Sequence, residues 1–359
     1  MQNKIISKAP GRVCLFGDHQ DYLRLPIIAT TIDKEITIEA IKNNSKEFKI
    51  FKKDLNEYYS IPINEDISSN ERDFLKIALR VLKKYNCIPK QGYDITIFSD
   101  IPINSGLSSS SALIVAWVNL VLSCFSNKSI SAKLLAELSY EIEVKEMGGS
   151  GGKMDQYTIA HGKTIFLDTN TNLVNSFDHN LCDMIIGVSN QSKDTQGLLK
   201  KLKENATKSI EMVNSKVPTF NLYDEENVNN SKYIDLLDDY LKPYFKAAVG
   251  NYKITINARR EFSKPNLDIN TISALMNTHH RYLKNELKIT TPEIDYMINI
   301  TKENGAIGSK IVGSGGGGSI VSFSTNSNVS NKIVKELKRI GVRDAFIAKR
   351  GRGPTIYYE

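Results

Sequence analysis

Residues able to do chemistry crowd into four short stretches. The first reads Ala9-Pro10-Gly11-Arg12-Val13-Cys14-Leu15-Phe16-Gly17-Asp18-His19-Gln20-Asp21-Tyr22. Asp18, His19, Asp21 and Tyr22 gather acceptors and donors on one turn between apolar, β-rich runs. That density suits the hydroxyls of a polyol; the residue types also leave open a divalent cation or a solvated polar turn. The second is Ile101-Pro102-Ile103-Asn104-Ser105-Gly106-Leu107-Ser108-Ser109-Ser110-Ser111-Ala112. A Gly/Ser turn that opens a helix presents backbone N–H groups and small hydroxyls to an anion, above all a phosphate chain. Serines can simply cap the helix, but four in succession after a proline-rich turn and a glycine exceed that need. No Gly-Lys-Ser/Thr follows and the glycines are wrongly spaced, so this is neither a Walker A loop nor a dinucleotide fingerprint. A serine hydroxyl here can also ligate Mg²⁺ carried by nucleotide phosphates.

The third stretch starts at Glu143, runs through Gly148-Gly149-Ser150-Gly151-Gly152 and reaches Asp155-Gln156. A carboxylate beside a glycine-rich backbone can approach a ligand closely. Asp155 could orient or deprotonate an attacking hydroxyl and Glu143 could hold Mg²⁺; surface or capping carboxylates are the plain alternative. The fourth, Gly313-Ser314-Gly315-Gly316-Gly317-Gly318-Ser319, lies between two β-rich runs. It reads as a flexible hairpin or as a backbone brought close to a ligand.

The elements that must position these groups follow from periodicity. Residues 4–10 form a strand that Gly11 breaks, 13–17 a short apolar run, and 27–40 two further β-rich stretches. Residues 71–85 have helical spacing through Phe74, Leu75, Ala78, Leu79 and Leu82. An alternating strand at 93–98 enters the serine loop, and an apolar helix over 112–125 leaves it, too short to span a bilayer and therefore buried. A second helix spans 131–147 with Ser131 as cap. Strands are expected at 164–167 and 184–188. Beyond residue 192 helices dominate, at 196–213, 232–251, 271–287 and 291–304. A strand–glycine loop–strand unit at 309–323 follows, with final strands at 346–349 and 355–358.

The 359 residues allow two domains, divided near 190/191 as 1–190 and 191–359. An apolar fraction of 41% and a charged fraction of 24% are those of an ordinary globular protein, not a disordered or membrane chain. The net charge of +7 comes from dispersed lysines, so no nucleic-acid surface is expected, and anionic substrates fit its sign. Cys14, Cys87, Cys124 and Cys182 have neither metal nor redox spacing. With no secretory pattern at the start, they read as free thiols of a cytoplasmic protein.

Taken in order, the four stretches resemble the GHMP kinases (galacto-, homoserine, mevalonate and phosphomevalonate kinases). Pro10 to Val13 with Gly17 to Tyr22 is similar to the galactokinase signature. Gly106 to Ala112 is similar to the family's phosphate loop, and Lys310-Ile311-Val312-Gly313 with the following glycines to its C-terminal motif. Met154-Asp155-Gln156 resembles the stretch that carries the catalytic aspartate, and 275–295 also matches galactokinase-like members. The resemblance implies a two-domain α+β fold with the active site in the interdomain cleft. It implies Asp155 as the base and Arg12 as stabiliser of developing charge. Ser110 and Glu143 would ligate Mg²⁺, and Asp18, His19, Asp21 and Tyr22 would bind sugar hydroxyls. The ATP phosphates would be wrapped by Gly106, Leu107, Ser108, Ser109, Ser110 and Ser111, with Gly315 and Gly316 shaping the site. The implied activity is an ATP- and Mg²⁺-dependent sugar kinase, monomeric or homodimeric, acting on the anomeric hydroxyl of a small sugar. Cys14, Phe16, Asp18 and Gln20 replace the usual Asn, Ile, Glu and Thr. The stretch 189–195 lacks the His and Tyr-x-x-Arg-Arg pattern that normally follows. Both departures point away from strict galactose selectivity. The alternatives on the same fold are a mevalonate-like isoprenoid kinase and a non-catalytic sugar and ATP sensor. Arg12 and the polar turn weigh against the first, and the full set Arg12, Ser110, Glu143 and Asp155 against the second.

Overall fold

The computed structural model describes residues 4–127, 129–191, 195–224 and 231–359. Two sheets organise it. The larger has eight strands in the order β12-β1-β2-β5-β3-β4, with β6 added beside β2 and β7 beside β6. These strands are β1 (Lys4–Phe16), β2 (Ile27–Lys42), β3 (Glu47–Lys52), β4 (Glu57–Pro62), β5 (Tyr93–Ser99), β6 (Thr164–Asp168), β7 (Leu173–Phe177) and β12 (Thr355–Tyr358). The smaller is antiparallel, β11-β8-β10-β9, built from β8 (Asp183–Val188), β9 (Gly308–Val312), β10 (Ser319–Ser324) and β11 (Asp344–Ala348).

Against the large sheet lie α1 (Phe74–Lys84), α2 (Ser109–Phe125), α3 (Ala132–Tyr140) and α4 (Met154–His161). Helix α2 is apolar all round because it is enclosed all round: eleven of its residues are buried, Trp117 fully. Its few polar bonds fix its height, with Ser7 Oγ donating to the Ala116 carbonyl at 2.8 Å and Trp117 Nε1 to the Leu75 carbonyl at 3.1 Å. The second half contributes α5 (Thr195–Lys216), α6 (Lys242–Phe262), α7 (Ile269–Asn285), α8 (Pro292–Glu303) and α9 (Ser327–Arg339).

Four features depart from the sequence expectations. Gly11 does not end the first strand; β1 runs on to Phe16 with register shifts at Pro10/Arg12 and Cys14/Phe16. A β-bulge absorbs the irregularity and lets the Leu107 carbonyl approach, where a Cβ on Gly11 would sit 3.0 Å from it. Residues 27–40 form one long strand, β2, which switches partner from β6 to β5 along its length. The helix expected over 232–251 begins instead at Lys242, with a 3₁₀ segment at Ser231–Leu236 before it. Pro243, which lacks an N–H, is tolerated only in the first turn, and it sets that start. The division at 190/191 does not follow the sheets. Strand β8 precedes it yet joins the small sheet, and β12 returns from the end of the chain to pair with β1.

Candidate active site

A cavity of about 650 Å³ opens between the two halves. One wall is the 104–110 loop and the N-terminus of α2. Ser108 adopts a left-handed conformation (φ 62°) and no side chain caps the helix, so the amides of its first turn are left to an external acceptor. The Ser108 hydroxyl is spent elsewhere, donating to Asp155 Oδ2 at 2.6 Å. The loop is pinned from both halves. Arg12 N donates to the Leu107 carbonyl at 3.0 Å, and Ser319 Oγ to the Ser105 carbonyl at 2.7 Å.

Asp155, in the first turn of α4, is held at both carboxylate oxygens where it faces the cavity. Arg12 Nε donates to its Oδ1 at 2.8 Å and a terminal guanidinium nitrogen lies 2.6 Å from the same atom. Arg12 is buried, and its other terminal nitrogen donates to the Gly106 carbonyl at 2.6 Å. One guanidinium therefore registers the carboxylate to the serine loop. This is what a base needs in order to meet an acceptor oxygen in line with a phosphate.

Glu143 belongs to a π-helical turn, Glu141–Lys145, that prolongs α3. It accepts from Ser110 Oγ at 2.8 Å and from Gln156 Nε2 at 2.6 Å. Burial raises its pKa above the ordinary value, Asp155 adds to that, and hydrogen bonds from Ser111, Gln156 and Ser110 oppose it. Among the described residues no lysine or arginine is paired with it.

The polar turn forms the far wall. Asp21 accepts from the amides of Tyr22 (3.0 Å) and Met154 (3.2 Å). Burial, then the neighbouring Asp155, pushes it up to about 6. His19 takes a left-handed backbone (φ 64°), and its Nδ1 lies 3.1 Å from the Tyr22 hydroxyl. Gln20 reaches away to α6, bonding the Ala248 carbonyl and the Thr255 hydroxyl, both at 3.1 Å. Asp18 is gripped by the small sheet: Lys310 Nζ lies 2.6 Å from Oδ2 and the Gly313 amide donates to Oδ1 at 3.1 Å. Burial is the largest single effect and would raise its pKa, but the charge and hydrogen bond of Lys310, with help from Cys14, together outweigh it and hold Asp18 at about 2.

Of the residues singled out from sequence, Arg12, Asp18, His19, Asp21, Tyr22, Gly106, Ser108, Ser109, Ser110, Glu143 and Asp155 all come to the cavity wall. Leu107, Ser111, Gly315 and Gly316 do not. Leu107 is a core side chain, and Ser111 is buried beneath Glu143. Gly316 donates its amide to the Ile289 carbonyl at 2.8 Å, and a Cβ on Gly315 would lie 2.5 Å from that of Ile289. The wall is lined instead by Gly313 and Ser314. Sequence reasoning gave Lys310 no role. Its signal was a lone lysine inside the apolar β run Ser309-Lys310-Ile311-Val312, which burial makes untenable without an anionic partner. The part of stretch 189–195 that covers residues 192–194 lies outside the described residues.

An uncapped, serine-rich helix N-terminus beside a clamped aspartate, at a cleft between two sheets, is a layout suited to phosphoryl transfer to a small acceptor. The comparisons agree. Residues 73–163 match the GHMP kinases N terminal domain, 260–357 the GHMP kinases C terminal domain, and 1–42 the galactokinase galactose-binding signature. A galactokinase of Fusobacterium nucleatum is 26% identical, with 96% of this chain and 93% of the relative covered. A mevalonate kinase of Methanocaldococcus jannaschii is 28% identical, covering 94% of this chain and 97% of the relative. The fold is similar to that of Lactococcus lactis galactokinase crystallised with galactose, with a TM-score of 0.84 at 23% identity over 98% of this chain and 95% of that one. The chain belongs to the GHMP kinase family. Among the described residues no helix is long and apolar enough to cross a membrane.

Proposed function

We propose that the protein is an ATP- and Mg²⁺-dependent sugar kinase that phosphorylates a monosaccharide at its anomeric hydroxyl, giving a sugar 1-phosphate. The observation that carries this is the Arg12–Asp155–Ser108 clamp, which faces the cavity between the α2 N-terminus and the polar turn. The galactose-binding signature falls on that turn, and galactokinases are among the relatives.

In this reading Asp155 receives or polarises the proton of the acceptor hydroxyl. Its Oδ1 is occupied by Arg12 and its Oδ2 by Ser108, so the carboxylate cannot rotate and its remaining lone pairs point at a fixed place. Arg12 also balances negative charge developing during transfer. Asp21, His19 and Tyr22 hold the other acceptor hydroxyls, with Asp18 beneath them. The amides at the start of α2 and the Ser109 hydroxyl are offered to the phosphates. The donor set for a cation is Ser110 and Glu143, two hard oxygen ligands 2.8 Å apart with no protein cation beside them among the described residues, which suits Mg²⁺. When bound there, the ion would neutralise charge on the transferring phosphate.

ADP release measured over a panel of monosaccharides, with mevalonate alongside, tests the reading. Turnover of at least one sugar with no mevalonate turnover is expected. Turnover of mevalonate with no sugar accepted would overturn it in favour of an isoprenoid kinase, the activity named for one relative.

A further inference from the structure

Every residue of β9 is buried, and Lys310 at its centre is 0% exposed. An ammonium in such a place is untenable unless paired and hydrogen-bonded. Its Nζ donates to Asp18 Oδ2 at 2.6 Å and to the Cys14 carbonyl at 3.0 Å. Both partners belong to the opposite half of the molecule, at the end of β1 and on the turn that follows. The grip is doubled three residues on, where the Gly313 amide donates to Asp18 Oδ1 at 3.1 Å. Asp18 is thus held by one side chain and one backbone group of the same β9–loop unit. Gly313, Ser314 and Asp18 all line the cavity that also holds Asp155. His279, 4.0 Å from Asp18 Oδ2, is fully buried, and burial followed by Lys310 lowers its pKa to about 3. It is neutral at ordinary pH and cannot stand in for Lys310.

We propose that Lys310 is a positioning residue for the acceptor. By clamping Asp18 it locks the 18–22 turn to the Gly313–Ser314 loop and sets how much of the Asp18 carboxylate remains for an acceptor hydroxyl. The proposal rests on the reading that this turn holds the acceptor. Neither hydrogen bond of Lys310 goes to the serine loop, so its removal should be felt by the acceptor and not by the nucleotide. A merely structural lysine would weaken both.

The test is steady-state kinetics on the full chain with Lys310→Met, Asp18→Asn and the double variant, varying acceptor and MgATP in turn. Lys310→Met should raise the acceptor KM by about tenfold or more, the loss expected for one charged hydrogen bond. The MgATP KM should stay within about twofold. In the Asp18→Asn background the same lysine substitution should add little, because there is no carboxylate left to hold. Equal rises in both KM values, an unchanged acceptor KM, or full additivity in the double variant would overturn the proposal. If Lys310→Met does not fold, Asp18→Asn decides alone. It keeps shape and one acceptor oxygen, and must raise the acceptor KM with nucleotide KM retained; an unchanged acceptor KM refutes the clamp. A wild-type protein that accepts no sugar refutes the sugar-kinase reading instead, and the KM split is then measured with whichever alcohol is turned over.

Discussion

Gly152 is the point where the polar turn meets the helix that carries the aspartate. A Cβ built there would lie 2.2 Å from Asp21 Cγ, 2.3 Å from its Oδ2 and 2.7 Å from its carbonyl carbon. The last of these is backbone, so a rotamer change of Asp21 cannot relieve it. Moving Asp21 Cγ from 2.2 Å out to ordinary contact at 3.4 Å requires a shift of about 1.2 Å between the turn and the start of α4. The Met154 amide would lose its bond to Asp21, and Lys153, the residue before α4, offers no side-chain cap to replace it. Asp155 lies one residue further on. A misplacement of roughly 1 Å at reacting groups costs on the order of 10²-fold in rate. Gly152→Ala should therefore lower kcat/KM for the acceptor by about two orders of magnitude while the melting temperature changes little, because the collision is local and at the cavity edge. The assay is coupled ADP release with acceptor varied, beside thermal unfolding of the same preparation. Wild-type kcat/KM in a folded Gly152→Ala protein would refute the inference that Asp21 and Asp155 are registered through this contact.

Asp155→Asn should lower kcat by roughly 10²–10⁴-fold with nucleotide binding retained; an unchanged kcat removes Asp155 from the chemistry. Glu143→Gln should raise the Mg²⁺ concentration needed for half-maximal rate, and a Mg²⁺ titration identical to wild type would exclude it as a ligand. The Asp21 pKa near 6 sets an acid limb, so acceptor kcat/KM should fall below about pH 6 and Asp21→Asn should flatten that limb. The same shift has a stability sign. Burial and Asp155 raise Asp21 above 3.8, so the folded state holds the proton more tightly than the unfolded chain. Its contribution is complete below pH 4 and lost as the pH rises through 6, which melting temperatures of wild type and Asp21→Asn, compared across that window, will register. Deleting residues 350–359 removes β12 and the paired bonds between Thr31 and Gly351, uncovering β1 as a sheet edge. The truncated chain should melt lower or aggregate, and an unchanged melting curve would show that the returning strand is dispensable.

What the sequence determined by itself was local. Pro102, Gly106 and the four serines between an alternating run and an apolar run specify a strand–turn–helix junction with free amides, whatever surrounds it. The Ser131 cap of α3 and the buried character of α2 were legible for the same reason, since they depend on neighbours within a turn or two. Asp155, Arg12 and Glu143 could be singled out by residue type and by family resemblance. The 104–106 loop carbonyls, the bulge at Gly11 and the π-helical turn under Glu143 were not readable from spacing. The loop and the bulge answer to partners distant in sequence, Arg12 and Ser319 for the one and the Leu107 carbonyl for the other. Tertiary structure also decided what Asp18 does. Read alone, it is one more acceptor on a polar turn; in the fold it is the anion of a buried pair with a lysine 292 positions away. Burial makes such a pairing obligatory, yet a chain's local preferences carry no information about which distant charge will arrive to satisfy it.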